Sequence, residues 1–318
     1  MNSYCTLFDS NYLTRFLAMH ASMVATGEAF SLYAVCFDEE TAEIIEEMAL
    51  PGLVVIGMEE FETPKLKQLK KTRTRAEYCW TCASLVIRHV LNVFKLDEVT
   101  YLDADLFFYR RPALLLDEFH ASGASILLTE HRFSPQRAKD VKYGRFCVQF
   151  MTFKNDSRGR PALDWWIERC LEWCHARLEE GKFGDQKYLD DWCQRFDGVH
   201  VSSDIGAGVA NWNLEQYRLS GNAKSPEVNG MPVVFYHFHC FKVYQDGVCD
   251  LGFNSLPRAA VDLIYLPYLR SLRKAEQDLA ARRPGFTGGR VENRHPLAHA
   301  ISFLLRWPRG IYNVRRLL

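Results

Sequence analysis

The chain has 318 residues, 48% of them hydrophobic and 25% charged, which is enough apolar side chain for a sizeable core and excludes a disordered or low-complexity polypeptide. Its 39 basic residues equal its 39 acidic ones. The charge is unevenly placed, though: residues 270–318 carry eleven Arg or Lys against three acidic residues, so an acidic body precedes a basic tail, a layout that argues against nucleic-acid binding.

The opening "MNSYCTLFDSNYL" reads as a strand and lacks the layout of an export signal, so a cytosolic location with reduced thiols is expected for the ten cysteines. In chain order, "YCTLF" (3–8) predicts a strand and "NYLTRFLAMHASMVATG" a helix stopping at Gly27. A strand over 30–37, an acidic-started helix and a strand over 52–58 follow, and a lysine-rich connection leads to a helix over about 76–94. A strand ending at the Asp103–Asp105 pair within 97–112 is then expected, followed by strands over 124–130 and 145–155 and a helix over 160–182 that opens on Pro and ends on Gly. "GDQKYLDDWCQRF" predicts a shorter helix, "GVHVSS" a strand, and "MPVVFYHFH" (231–239) the last strong strand. Strands alternating with amphipathic helices predict an α/β fold with a mostly parallel, Rossmann-like sheet flanked by helices. Division into a catalytic domain (1–256) and a helical basic extension (257–318) is expected. Cys79 with Cys82, and Cys170 with Cys174, lie in Trp- and Leu-rich helical patterns and predict core packing rather than zinc ligation. No apolar run approaches the length of a membrane span.

Within "DEVTYLDADLFFYRRP", Asp103 and Asp105 stand two residues apart at the end of an apolar strand. Two adjacent carboxylates in a buried setting raise each other's pKa and call for positive charge. A divalent cation on oxygen ligands meets that need. Ligands gather at the carboxyl ends of strands in open α/β sheets. That rule adds Phe8 and Asp9 after the first strand, and His237 and His239, which share a face in "YHFH".

The ordered set "YLDAD", "FGDQKYLDDW" and "YHFHCFK" resembles the metal-dependent GT-A-fold glycosyltransferases, family 8 in particular, over residues 3 to 245. The resemblance implies that Asp103, Asp105 and His237 hold Mn²⁺ or Mg²⁺ against the diphosphate of a UDP-sugar, with Lys242 on a phosphate. It implies further that backbone groups of Thr6, Leu7 and Phe8, the Asp9 carboxylate and the Tyr12 ring receive the nucleoside. Asp185, Gln186 and Gln149 would line the sugar and acceptor side. Solvated-surface readings of Lys242 and Tyr12 stay open. His239 competes with His237 for the metal. The chain departs from the family pattern where a Lys or Arg usually sits in the helix before the Asp pair, since "YCWTCASLV" stands there; Arg75, with Arg73, is the expected substitute. The Gly and Pro-Trp usual after the family's histidine are missing from "HCFKVYQDG".

The expected activity is transfer of a hexosyl unit to a glycan, or to a lipid-linked acceptor if the tail meets a membrane, and the resemblance implies retention of anomeric configuration. A nucleotide-sugar hydrolase and a silent sugar-nucleotide-binding scaffold remain open beside it. In the tail, Phe303, Leu304, Leu305, Trp307, Ile311 and Tyr312 alternate with Arg306, Arg309, Arg315 and Arg316. That mixture suits either peripheral contact with the anionic inner face of a membrane or packing onto the body.

Overall fold

The computed structural model describes residues 1–252, 254–286, 288–293, 301, 304–306 and 314–316. Their contacts gather into two compact units, each drawn from several stretches of chain. The first comprises Met1–Ser10, Glu28–Ala104 and Ala113–Asp204; the second comprises Asn11–Gly27, Asp105–Pro112 and the chain from Ile205 onward.

The first unit holds a seven-stranded sheet built from β1 (Asn2–Phe8), β2 (Phe30–Cys36), β3 (Leu53–Ile56), β4 (Glu98–Leu102), β6 (Ile126–Glu130), β7 (Phe146–Lys154) and β8 (Val199–Val201), in the order β3-β2-β1-β4-β7-β6-β8. β5, Leu106–Phe108, belongs to the second unit. Only β7 runs against its neighbours; β1–β2, β2–β3, β1–β4 and β6–β8 are parallel. The continuous apolar runs in β1 and β4 fit this central position, because a strand covered on both faces needs no polar alternation. Helix Arg75–Val93 begins on a capping box in which Thr74 and Glu77 satisfy each other's backbone N–H groups. Its buried face, including Tyr78, Cys82, Val86 and Val90, enters one core with Val99, Tyr101, Trp166 and Cys170. The expected core packing of Cys82 and Cys170 is therefore seen.

In the second unit, helix Leu13–Ala25 accompanies three small sheets. One joins β5, β13 (Phe235–His237) and β9 (Val209–Ala210). A second is the ribbon β10 (Leu219–Asn222), β11 (Ser225–Val228) and β12 (Met231–Pro232). The third orders β16 (Arg290–Val291), β14 (Lys242–Tyr244), β15 (Val248–Asp250) and β17 (Val314–Arg316). Helix Leu266–Arg282 buries Tyr268, Leu269 and Leu272 against this unit's core.

Several sequence expectations need correction. The helix foreseen over 160–182 is Gly159–Glu172, and Trp173 is extended. Glu77 draws the chain away there by accepting the Ala176 N–H at 2.8 Å, and Glu180 and Gly181 then turn with positive φ. Residues 186–195 form a 3-10 turn (Gln186–Leu189) and a short helix (Trp192–Arg195) rather than one helix. The strand foreseen over 231–239 is divided. Met231–Pro232 pairs with β11, whereas Phe235–His237 lies in the sheet of β5 and β9, outside the parallel sheet. Pro232 has no N–H with which to continue a ladder. Of the tail, Phe303, Arg309, Trp307, Ile311 and Tyr312 lie outside the described residues.

Candidate active site

The two aspartates sit where the chain leaves the large sheet. β4 ends at Leu102, and the Asp103 N–H donates to the Gln149 carbonyl of β7 at 3.0 Å. The Asp103 carboxylate accepts from the Tyr101 hydroxyl at 3.1 Å. Asp105 opens the next short strand. β13 pairs antiparallel with β5 so that His237 lies across from Leu106, and the Phe238 N–H donates to the Asp105 carbonyl at 3.1 Å. This register puts the imidazole on the carboxylate: His237 Nε2 is 3.1 Å from Asp105 Oδ1, and both residues are buried. Burial alone would raise the Asp105 pKa, but the His237 ring, then His239 and Arg15, hold it below the usual range.

One potential ligand atom from each of Asp103, Asp105 and His237 lies within 4.8 Å of the other two, the grouping of this kind found among the described residues. Two carboxylates and an imidazole suit Mg²⁺ or Mn²⁺, and the imidazole tilts the set toward the softer Mn²⁺. The ring orientation is fixed by packing, since Trp212 meets His237 edge-on at 5.2 Å. His239, the rival ligand, is exposed, with its ring 5.7 Å from that of His237.

Asp185, like Asp9 and Glu77, is a buried carboxyl of the first unit. Its pKa is raised to about 8, first by burial and then by the charge of Asp103. Its backbone is fixed by the Trp166 indole, which donates to the Asp185 carbonyl at 2.9 Å. Gln186 donates its amide to the Tyr143 carbonyl at 2.9 Å. Gln149 is fully buried and donates to Thr129 Oγ1 at 3.3 Å.

At the carboxyl end of β1, Thr6, Leu7, Phe8 and Asp9 are all buried. The ladder with β2 runs through Phe8, whereas the ladder with β4 is formed at Tyr4 and Cys5. Thr6 Oγ1 is buried without a hydrogen-bond partner, and Asp9 forms an ion pair with the half-exposed Arg75. The Cys79 thiol is packed against the core and is pushed up to about 12 by burial and then by the charge of Asp9, with a smaller push from Asp103. Arg73 does not share the place of Arg75. It is buried and donates to Thr81 and, at 3.1 Å, to the Leu171 carbonyl, which makes it a tie between two helices.

In the second unit, Tyr12 is 43% exposed, and the Arg15 guanidinium carbon lies 4.8 Å from its ring centroid. Lys242 begins β14, half-buried. Sequence reasoning missed Trp212, Arg15 and Cys240. The first two read as ordinary helix or loop residues, and no spacing marked them. Cys240 did carry a signal: it lies in "HCFKVYQDG", the segment from which an expected glycine is missing, and its φ is 61°.

No protein-family model matches the chain. Its α/β architecture is similar to that of the solved structure of WbbM, a bifunctional glycosyltransferase. The match has a TM-score of 0.51 and 10% identity and covers 88% of this chain and 51% of that one. At that identity the likeness speaks to the fold, which is of the GT-A type. Two curated proteins of Bacillus subtilis (strain 168) are similar in sequence: the uncharacterized protein YfnD, 30% identical over 294 residues (90% of this chain, 93% of that protein), and the uncharacterized protein YfnF, 32% identical over 296 residues (90% and 97%). Likeness at that level over nearly the full length of each is shared ancestry, and the chain belongs to the family of YfnD and YfnF.

Proposed function

We propose that the protein is a metal-dependent glycosyltransferase that moves a hexosyl unit from a UDP-sugar to a glycan or lipid-linked acceptor, with retention of anomeric configuration. The observation that carries this reading is the Asp103–Asp105–His237 grouping directly after a central strand of a GT-A-type sheet. Asp105 is buried and Asp103 half-buried beside it, and the positive charge that offsets Asp105 comes from the His237 side; a cation on the three groups would extend that compensation to both carboxylates.

In this reading Asp103, Asp105 and His237 hold Mn²⁺ or Mg²⁺. When bound, the cation offsets the charge that develops on the diphosphate as the sugar–phosphate bond breaks. Lys242 adds a second positive charge on the phosphates. Tyr12 offers an accessible ring face for the base, and Asp9 an acceptor for base or ribose once Arg75 turns outward. Asp185, Gln186 and Gln149 serve the sugar and acceptor. Exposed Ile301, Leu304 and Leu305 support a lipid-linked acceptor and peripheral membrane contact.

The test is thermal stabilisation of wild type and Asp105→Ala against UDP-, GDP-, CDP- and dTDP-sugars, with Mn²⁺ and with EDTA. A ligand that binds the folded state raises the melting temperature by mass action. The expected result is a shift with a UDP-sugar that requires both Mn²⁺ and Asp105. A shift confined to another base corrects the donor, and no shift with any nucleotide overturns the transferase reading.

A further inference from the structure

His237 and Lys242 stand at the two ends of a strained turn. The Phe241 N–H closes it onto the Phe238 carbonyl at 3.1 Å, and Cys240 inside it has φ 61°. That left-handed backbone is one a residue with a Cβ resists, and it persists only where the surroundings enforce it. Three hydrogen bonds do so here. The Phe238 N–H donates to the Asp105 carbonyl at 3.1 Å, Asn211 Nδ2 donates to the His239 carbonyl at 2.9 Å, and Arg15 Nη2 donates to the Phe241 carbonyl at 3.1 Å.

Arg15 reaches further than the turn. It is 5% exposed, donates through Nη1 to the Asn11 carbonyl at 2.8 Å and, more distantly, to Gly289 at 3.5 Å, and lies beside the Tyr12 ring. All of its hydrogen bonds go to backbone carbonyls, and no carboxylate among the described residues forms an ion pair with it. A buried guanidinium spent on carbonyls from three separate segments makes sense as a tie. Its planar fork of five donors spans acceptors that a lysine ammonium cannot reach together.

We propose that Arg15 is a positioning residue that ties the segment bearing Tyr12 to the turn bearing His237 and Lys242. It thereby sets the two places that receive the nucleoside and the diphosphate. This assignment rests on the reading given under Proposed function for what those places bind; the tie itself does not.

The experiment compares wild type, Arg15→Lys, Arg15→Met, Cys240→Gly and the Arg15→Met/Cys240→Gly double variant. Each is measured ligand-free by hydrogen–deuterium exchange and then by calorimetric titration of UDP in the presence of Mn²⁺. Arg15→Met is expected to speed exchange in peptides covering residues 11–16 and 237–244 and to leave the sheet of the first unit unchanged. It is also expected to weaken UDP–Mn²⁺ binding about tenfold, the loss of one or two charge-assisted hydrogen bonds. Arg15→Lys should fall between. Cys240→Gly should change little alone but restore part of the binding lost in Arg15→Met, because glycine adopts the turn unsupported. A merely structural arginine would not show that rescue. If Arg15→Met does not fold, Arg15→Lys carries the comparison. Unchanged exchange in both segments, or loss of binding that glycine at 240 does not relieve, overturns the proposal. Wild type that binds neither Mn²⁺ nor UDP sinks the transferase reading instead, while the exchange pattern still decides whether Arg15 ties the two segments.

Discussion

Glu77 and Asp185 are carboxyl groups of the same unit, 8% and 5% exposed, yet their surroundings push them in opposite directions. Burial works against the charge of both. Around Glu77 it is outweighed: the Ala176 and Thr74 N–H groups each donate at 2.8 Å, His175 stands 3.3 Å away, and the carboxyl is lowered to about 2. Around Asp185 burial is joined by the charge of Asp103, and the carboxyl is raised to about 8. The difference teaches what each group is for. A carboxylate wrapped in backbone donors is part of the fold's wiring; one raised by burial and by a neighbouring carboxylate is held in place against its own charge.

The largest effect should come from breaking the satisfied partner. Glu77→Ala strips an N-terminal cap from helix Arg75–Val93 and leaves the Ala176 N–H unpaired, which should cost about 3 kcal/mol in urea unfolding at neutral pH. The pH dependence follows from the sign of the shift. A lowered folded pKa gives stability that is present above the unfolded value of 4.5 and lost as pH falls toward about 2. The gap between wild type and Glu77→Ala should therefore narrow through that window. A gap independent of pH would mean that shape, not charge, is what Glu77 supplies. Asp185→Asn should act the other way. With folded pKa raised from 3.8 to about 8, the folded state holds the extra proton, so wild-type stability falls as pH climbs through that range and levels off above it. Removing the group in EDTA should flatten this slope and stabilise the protein by about 2 kcal/mol at neutral pH. Loss of stability on that substitution would show that Asp185 is as well satisfied as Glu77.

Much of this was legible in the sequence, for physical reasons that differ by region. The large sheet was readable because strands buried on both faces are written as unbroken apolar runs, as in β1 and β4. The Asp pair was readable because carboxylates at the end of such a run are costly without a purpose. The helix beyond Glu172 was not readable, since its periodicity continues while a carboxylate 99 residues away in sequence captures the Ala176 N–H. The placement of His237 in a small separate sheet was likewise hidden. β5, β9 and β13 contain three, two and three residues, too few to show a period, and β5 joins the other two from over 100 residues away in sequence. Arg15 illustrates the remaining blind spot, since its hydrogen bonds go to backbone carbonyls, which carry no letter in a sequence, and Arg73 shares it in its bond to the Leu171 carbonyl.

The smallest predicted effect is also the most specific. Asp103 contributes to the raised pKa of Asp185 through charge alone, as the cause next to burial. Asp103→Asn keeps the shape and removes that charge. Two unit charges near a protein surface interact by a few kcal/mol at most at close range, and by about 1 kcal/mol once separated by several ångströms. Asp103→Asn should accordingly bring the Asp185 titration, followed by carboxyl ¹³C shifts in EDTA, down by somewhat less than one pH unit, leaving burial to hold most of the elevation. It should leave Glu77 unmoved, because the donors that set that group belong to the helix cap and the 173–176 segment. The Asp103→Asn/Asp185→Asn double variant should then gain less stability than the sum of the single variants, by the size of the same interaction. Additive effects would separate the two carboxyls and leave burial as the whole cause of the Asp185 shift; a shift in Asp185 larger than one unit would make the pair share its protons, and Asp103, not Asp185, would then be the group to follow as Mn²⁺ is added.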